Sequence, residues 1–131
     1  AVRVTFRLLV AMLLGLVIGW NREEQGKSAG LRTHMLVALG AALFVLAPLE
    51  GGASSGDTTR VVQGVATGIG FLGGGVILQL VQERKVKGLT TAASIWMTAA
   101  LGVAAGMGRA GAALIGLFFA CIILTALMKL E

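Results

Sequence analysis

The chain has 131 residues, of which 56% are hydrophobic and 13% charged, with a mean hydropathy of +0.90. A helical span needs about 20 apolar residues, so five spans would use most of the chain and leave little for a soluble catalytic domain. The net charge of +5 argues against nucleic acid, because the cations sit in short loops beside apolar runs and the chain has no Tyr to stack on bases.

Hydropathy divides the chain into five segments, at about 4–21, 33–49, 61–82, 89–108 and 110–128, and predicts a compact all-α bundle of transmembrane helices occupying 1–131. In the first segment, Gly15 and Gly19 stand four residues apart and share one helix face. Small residues so placed let helix backbones approach closely. Arg7 must snorkel or face a polar interior, and Trp20 suits an interface. The stretch after Gly19 is no signal-peptidase site. The loop from Arg22 to His34 mixes both signs of charge, and pairs between Arg22 or Arg32 and Glu23 or Glu24 are expected there. Pro48 and Glu50-Gly51-Gly52 end the second segment, and the stretch 50–60 reads as a solvated turn.

The third segment carries six glycines in fourteen residues: Gly64, Gly68, Gly70, Gly73, Gly74 and Gly75. In a soluble helix each would cost about 1 kcal/mol against alanine. In a membrane they serve either as a tight packing face or, at the Gly73–Gly75 triplet, as a break that opens backbone groups to a cavity. The segment ends in the basic loop 82–87. In the fourth segment, Thr91, Ser94 and Thr98 follow i, i+3, i+7 on one face. That face either makes interhelix hydrogen bonds or lines a polar path opposite Gly73–Gly75. Gly102 and Gly106 repeat the small-residue spacing, and the fifth segment looks the most lipid-facing.

Arg22, Lys27, Arg32, Arg84, Lys85, Lys87 and Lys129 fall on one side of the expected membrane, and Arg3, Arg7, Arg60 and Arg109 on the other. The positive-inside rule then puts the N-terminus outside and the C-terminus in the cytoplasm. Cys121 alone can form no intrachain disulfide. No nucleophile–His–acid set is visible, so no catalytic residue and no enzyme activity is expected. No carboxylate has metal-ligand spacing with His or Cys, and only Glu23 with Glu24 offers paired carboxylates for magnesium. No metal or cofactor is expected.

Three blocks in order carry a resemblance: Ile18-Gly-Trp-Asn-Arg-Glu23 continuing to Ala29-Gly-Leu-Arg-Thr-His-Met-Leu-Val37, then Gly68-Ile-Gly-Phe-Leu-Gly-Gly-Gly-Val-Ile77, then Val86-Lys-Gly-Leu-Thr-Thr-Ala-Ala-Ser-Ile-Trp96. Together they resemble the transmembrane domain of the MgtC/SapB family of bacterial inner-membrane proteins, over nearly the whole chain. The resemblance implies a polytopic inner-membrane domain, often followed by a small cytosolic domain that is expected to be absent here. It implies links to low-magnesium adaptation, virulence through survival in macrophages, and restraint of the F-type ATP synthase. The residues that match the blocks are Arg22, Glu23, Arg32, Thr33 and His34, and then Thr90, Thr91 and Trp96. They form either a functional cluster or a topology and headgroup anchor. His34, with an ordinary pKa near neutrality, is a candidate to sense pH or relay protons. Asn21 stands where the family usually has Glu, so the acidic role has passed to Glu23 or is missing, and Gly74 stands where Ala is common.

The expected function is regulatory: a homo-oligomer in the lipid bilayer that modulates other membrane proteins, ATP synthase among them. The rival is a small ion or anion transporter with its site between the third and fourth helices. A third reading is an anchor for a cytosolic domain.

Overall fold

The computed structural model describes residues 1–79 and 88–127. These form five helices: α1 (Val2–Glu24), α2 (Leu31–Glu50), α3 (Ser55–Gln79), α4 (Leu89–Gly106) and α5 (Ala110–Ala126). The first four are each long and apolar enough to cross a bilayer, and α5 is a shorter apolar helix. The basic loop 82–87, with Arg84, Lys85 and Lys87, lies outside the described residues, as do Lys129 and the final residues expected for segments three (80–82) and five (128).

The helix ends follow from local chemistry. Gly26, Gly52 and Gly108 adopt φ of 67°, 84° and 77° and close α1, α2 and α4. In each case the next residue's N–H turns back to the last turn: Lys27 to the Arg22 carbonyl, Ala53 to that of Pro48, and Arg109 to that of Ala104. This is the left-handed glycine cap, which a residue with a Cβ adopts only at a cost. The stretch expected as a solvated turn at 50–60 is mostly helix. The Ser54 hydroxyl accepts the Asp57 N–H at 3.1 Å, so α3 begins six residues before its apolar run. Pro48 does not stop α2, which continues to Glu50.

Small residues hold the bundle together, because lipid tails are as apolar as leucine and burial drives little between helices. A Cβ added at Gly15 would stand 2.6 Å from the His34 carbonyl oxygen and 2.9 Å from the Met35 Cα. One at Gly106 would stand 2.7 Å from the Ala42 carbonyl oxygen, and one at Gly102 would run into the Ala38 carbonyl. Thus α1 and α4 each lie almost backbone to backbone on α2. Among the described residues, helix α4 touches all four others, and α3 touches α4 and, more lightly, α2. One apolar cluster joins Ala11, Leu14 and Ile18 to Leu101, Ala105 and Ala113, and a second joins Val37 and Ala41 to Ile95 and Ala99.

Two expectations about the glycine-rich helix are corrected. The Gly73–Gly75 triplet does not open: α3 is continuous through it. Nor is α3 a tightly packed central helix. A Cβ at Gly73 would stand 3.2 Å from the Ala92 Cβ, but among the described residues one at Gly64, Gly68, Gly70, Gly74 or Gly75 would meet nothing within 4 Å. Among the described residues of α3, Thr58 and Gly73 are the buried ones, while α5 exposes Leu114, Ile115, Phe118, Phe119, Ile122 and Ile123. The small side chains of α3 remain exposed because the places against α2 are already taken by glycine-bearing α1 and α4.

Arg3 donates to the Glu50 carboxylate at 2.9 Å, and Arg7 donates to the Gly106 carbonyl at 3.1 Å. These contacts gather the N-terminus and the ends of α2 and α4 at one end of the bundle. The α1–α2 loop and the start of α4 lie at the other.

Candidate functional site

At that second end, three helices bring polar side chains together inside the bundle. Arg22 comes from the last turn of α1, His34 from the first turn of α2, and Thr91, Ser94 and Thr98 from α4. All five are buried, His34 and Thr98 completely. Glycine brings them together. A Cβ at Gly19 would stand 2.8 Å from the Leu31 Cα and 3.1 Å from the His34 Cβ, so the missing side chain lets the first turn of α2 settle against α1.

The hydrogen bonds form one chain. Arg22 donates from Nη2 to Thr91 Oγ1 at 3.1 Å. The imidazole of His34 lies between the Gly30 carbonyl, 2.8 Å from Nδ1, and the Ser94 hydroxyl, 2.9 Å from Nε2. The Ser94 hydroxyl lies 2.7 Å from the Thr91 carbonyl, and Thr98 donates to the Ser94 carbonyl at 2.7 Å. Inside a bilayer each of these groups would be costly without a partner. The chain ties α1, α2 and α4 together at one depth.

The remaining residues of the sequence blocks fall elsewhere. Glu23 is exposed and accepts the Leu31 N–H at 2.9 Å, so it caps α2 from the end of α1. Glu24 accepts the Trp20 indole N–H at 2.8 Å. The expected pairing of these carboxylates with Arg32 is not formed, because both carboxylates have local N–H partners and Arg32 is exposed. Thr33 is half-buried. Thr90 is half-buried and lines an apolar groove of about 430 Å³ between α4 and α5. Trp96 is exposed and faces Val62, Val65 and Ala66 of α3 across a shallow groove. Among the described residues no group of three or more His, Cys, Asp or Glu side chains converges.

The hydroxyl face of α4 is therefore real, but its direction differs from one of the two readings. It points at α1 and α2, and the contact between Gly73 and α4 runs through Ala92 instead. Ser94, absent from the sequence blocks' candidate residues, is central to the cluster. The i, i+3 relation with Thr91 was the signal for it; its partner His34, sixty positions away, was not visible from spacing.

A second feature is an apolar groove of about 570 Å³ between α2 and α3. Phe44, Leu36 and Val37 line it from α2, and Val61, Gly64 and Gly68 from α3. Gly40, Gly64 and Gly68 are among its lining residues.

The fold and its buried polar junction define a polytopic helical membrane protein. The sequence model of the MgtC family matches residues 8–131, and the chain belongs to that family. It is 48% identical to the protein SrpB of Synechococcus elongatus over 97% of this chain and 76% of that one. It is 45% identical to the protein MgtC of Salmonella typhimurium over 78% of this chain and 42% of that one. It is 43% identical to YhiD of Escherichia coli, whose name carries a provisional assignment as a magnesium transporter, over 78% of this chain and 50% of that one. The chain thus spans about half or less of the length of two of these relatives. No solved structure matches it.

Proposed function

We propose that this chain is a bacterial inner-membrane regulatory protein that docks on other membrane proteins through the groove between α2 and α3. The observation that carries the reading is the unengaged pair of glycines that lines that groove from α3. Among the described residues a Cβ at Gly64 or Gly68 would meet nothing within 4 Å, while one at Gly15, Gly19, Gly102 or Gly106 would run into α2. A partner helix laid in the groove would find the close backbone approach that drives association in lipid. The candidate partners are further copies of this chain and, as the family resemblance implies, the F-type ATP synthase, in a role tied to low magnesium and virulence. Membership in the family supports this reading without naming the partner. Arg22, Lys27 and Arg32 share one end of the bundle, which favours that end as cytoplasmic and the N-terminus as outside.

Site-specific photo-crosslinking in native membranes tests the proposal. A photoreactive residue in place of Gly68 should capture a discrete protein partner, and Gly64→Leu should abolish the capture. Labelling no stronger than that from Ile122, an exposed position on α5, would refute it.

The rival reading, ion or anion transport, draws support from the buried Arg22–His34 junction. Arg32 turned outward and the backbone-close contacts of Gly15 and Gly102 with α2 weigh against it. Liposomes holding a pH dye and a magnesium indicator decide between the two. Flux that Arg22→Gln abolishes would favour transport.

A further inference from the structure

The hydrogen bonds of the His34 ring can be met in two protonation states. A carbonyl oxygen only accepts, so the nitrogen facing Gly30, Nδ1, carries a proton in either state. The other nitrogen faces a hydroxyl, which can donate or accept. Ser94 has one hydroxyl proton and two acceptors within reach: Nε2 at 2.9 Å and the Thr91 carbonyl oxygen at 2.7 Å. If that proton points at Nε2, the ring is neutral. If it points at Thr91, Nε2 must itself carry a proton and donate to Ser94 Oγ, and the ring is an imidazolium. No heavy atom needs to move between the two arrangements.

We infer that His34 is a reversible proton-binding site, read out by the Ser94 hydroxyl, which rotates between the His34 ring and the Thr91 carbonyl. On uptake, a proton from water bonds to the Nε2 lone pair. The Ser94 O–H bond stays intact and swings to Thr91. Release reverses both changes. A fully buried imidazole ordinarily leaves one ring nitrogen unmatched in one of its two states, at a cost. Here both are matched. The protonated state also replaces a neutral link between α2 and α4 with a charge-assisted one, the stronger kind. Acidity is thereby transmitted to the junction of α1, α2 and α4. Among the described residues, the charged group facing the ring is Arg22 from α1, and α4 presents only the hydroxyls of Thr91, Ser94 and Thr98. Within α2, the neighbouring Arg32 points outward. This inference stands apart from the docking proposal, and crosslinking results do not bear on it.

His34 is the single histidine of the chain, so a label on histidine nitrogen reports one site. The full chain, made with 15N-histidine and a tag free of histidine, would be placed in lipid vesicles and studied by solid-state NMR from about pH 4 to pH 8, the range in which imidazole ordinarily titrates. The expected result is one titration: both nitrogens protonated at the acid end, and only Nδ1 protonated, with a hydrogen-bonded Nε2, at the other. Ser94→Ala removes the acceptor that the charged ring needs more than the neutral one. It should lower proton affinity about tenfold, moving the midpoint by about one pH unit. Three results would overturn the inference: a wild-type ring that holds one state throughout, a neutral form protonated at Nε2, or a Ser94→Ala midpoint equal to wild type. The first two come from the wild type alone, so a variant that fails to insert leaves the inference open to refutation.

Discussion

Gly15→Ala should destabilise the bundle and loosen the polar junction together. The new Cβ would lie 2.6 Å from the His34 carbonyl oxygen and 2.9 Å from the Met35 Cα, against the 3.4 Å at which ordinary contact begins. Both obstacles are backbone, so no rotamer change relieves them. Helix α2 must back away by about 0.8 Å at its oxygen contact, and overpacking of that kind typically costs about 1–3 kcal/mol. Alanine also favours helix by about 1 kcal/mol, which would mask part of the loss. Gly64→Ala supplies the control, because among the described residues a Cβ there meets nothing within 4 Å. It should keep the helix gain and pay no packing cost. Reversible unfolding by SDS in mixed micelles, followed by the fluorescence of Trp20 and Trp96, measures both variants. Gly15→Ala should fall below Gly64→Ala by about 1–3 kcal/mol, a factor of roughly 5 to 150 in the unfolding equilibrium. Equal stabilities, within about 0.5 kcal/mol, would refute the claim that backbone contact between α1 and α2 sets the geometry of the site.

The same titration checks three further predictions. Glu23→Ala removes the acceptor for the first N–H of α2 and should cost about 1 kcal/mol, with Glu23→Gln retaining most of that. Arg7→Met leaves the last carbonyl of α4 without its cation and should cost about 0.5–1 kcal/mol, less at high salt. Arg3→Gln breaks an ion pair open to solvent and should change nothing measurable.

Comparison of α3 with α4 shows how far spacing alone can be read. Both carry small residues four apart, and both present the same local pattern. In α4 the pair Gly102 and Gly106 is pressed against α2; in α3 the pair Gly64 and Gly68 lies open. Spacing gives a helix a face, but which helix occupies the neighbouring place depends on how the others have already packed.

Apolar runs are enough to specify the helices, because a bilayer leaves a spanning segment no other way to satisfy its backbone. Local chemistry likewise specifies the glycine caps, the hydroxyl face of α4 and the family blocks that contain Arg22, His34 and Thr91. The partnership of those residues is a different matter. Arg22 and Thr91 are 69 positions apart, and His34 and Ser94 are 60. Nothing local ties them. They meet because Gly15 and Gly19 let α1 touch α2 and because Gly102 and Gly106 let α4 touch the same helix. Only that three-helix packing turns scattered polar residues into one hydrogen-bonded junction, and only it leaves Gly64 and Gly68 of α3 unengaged.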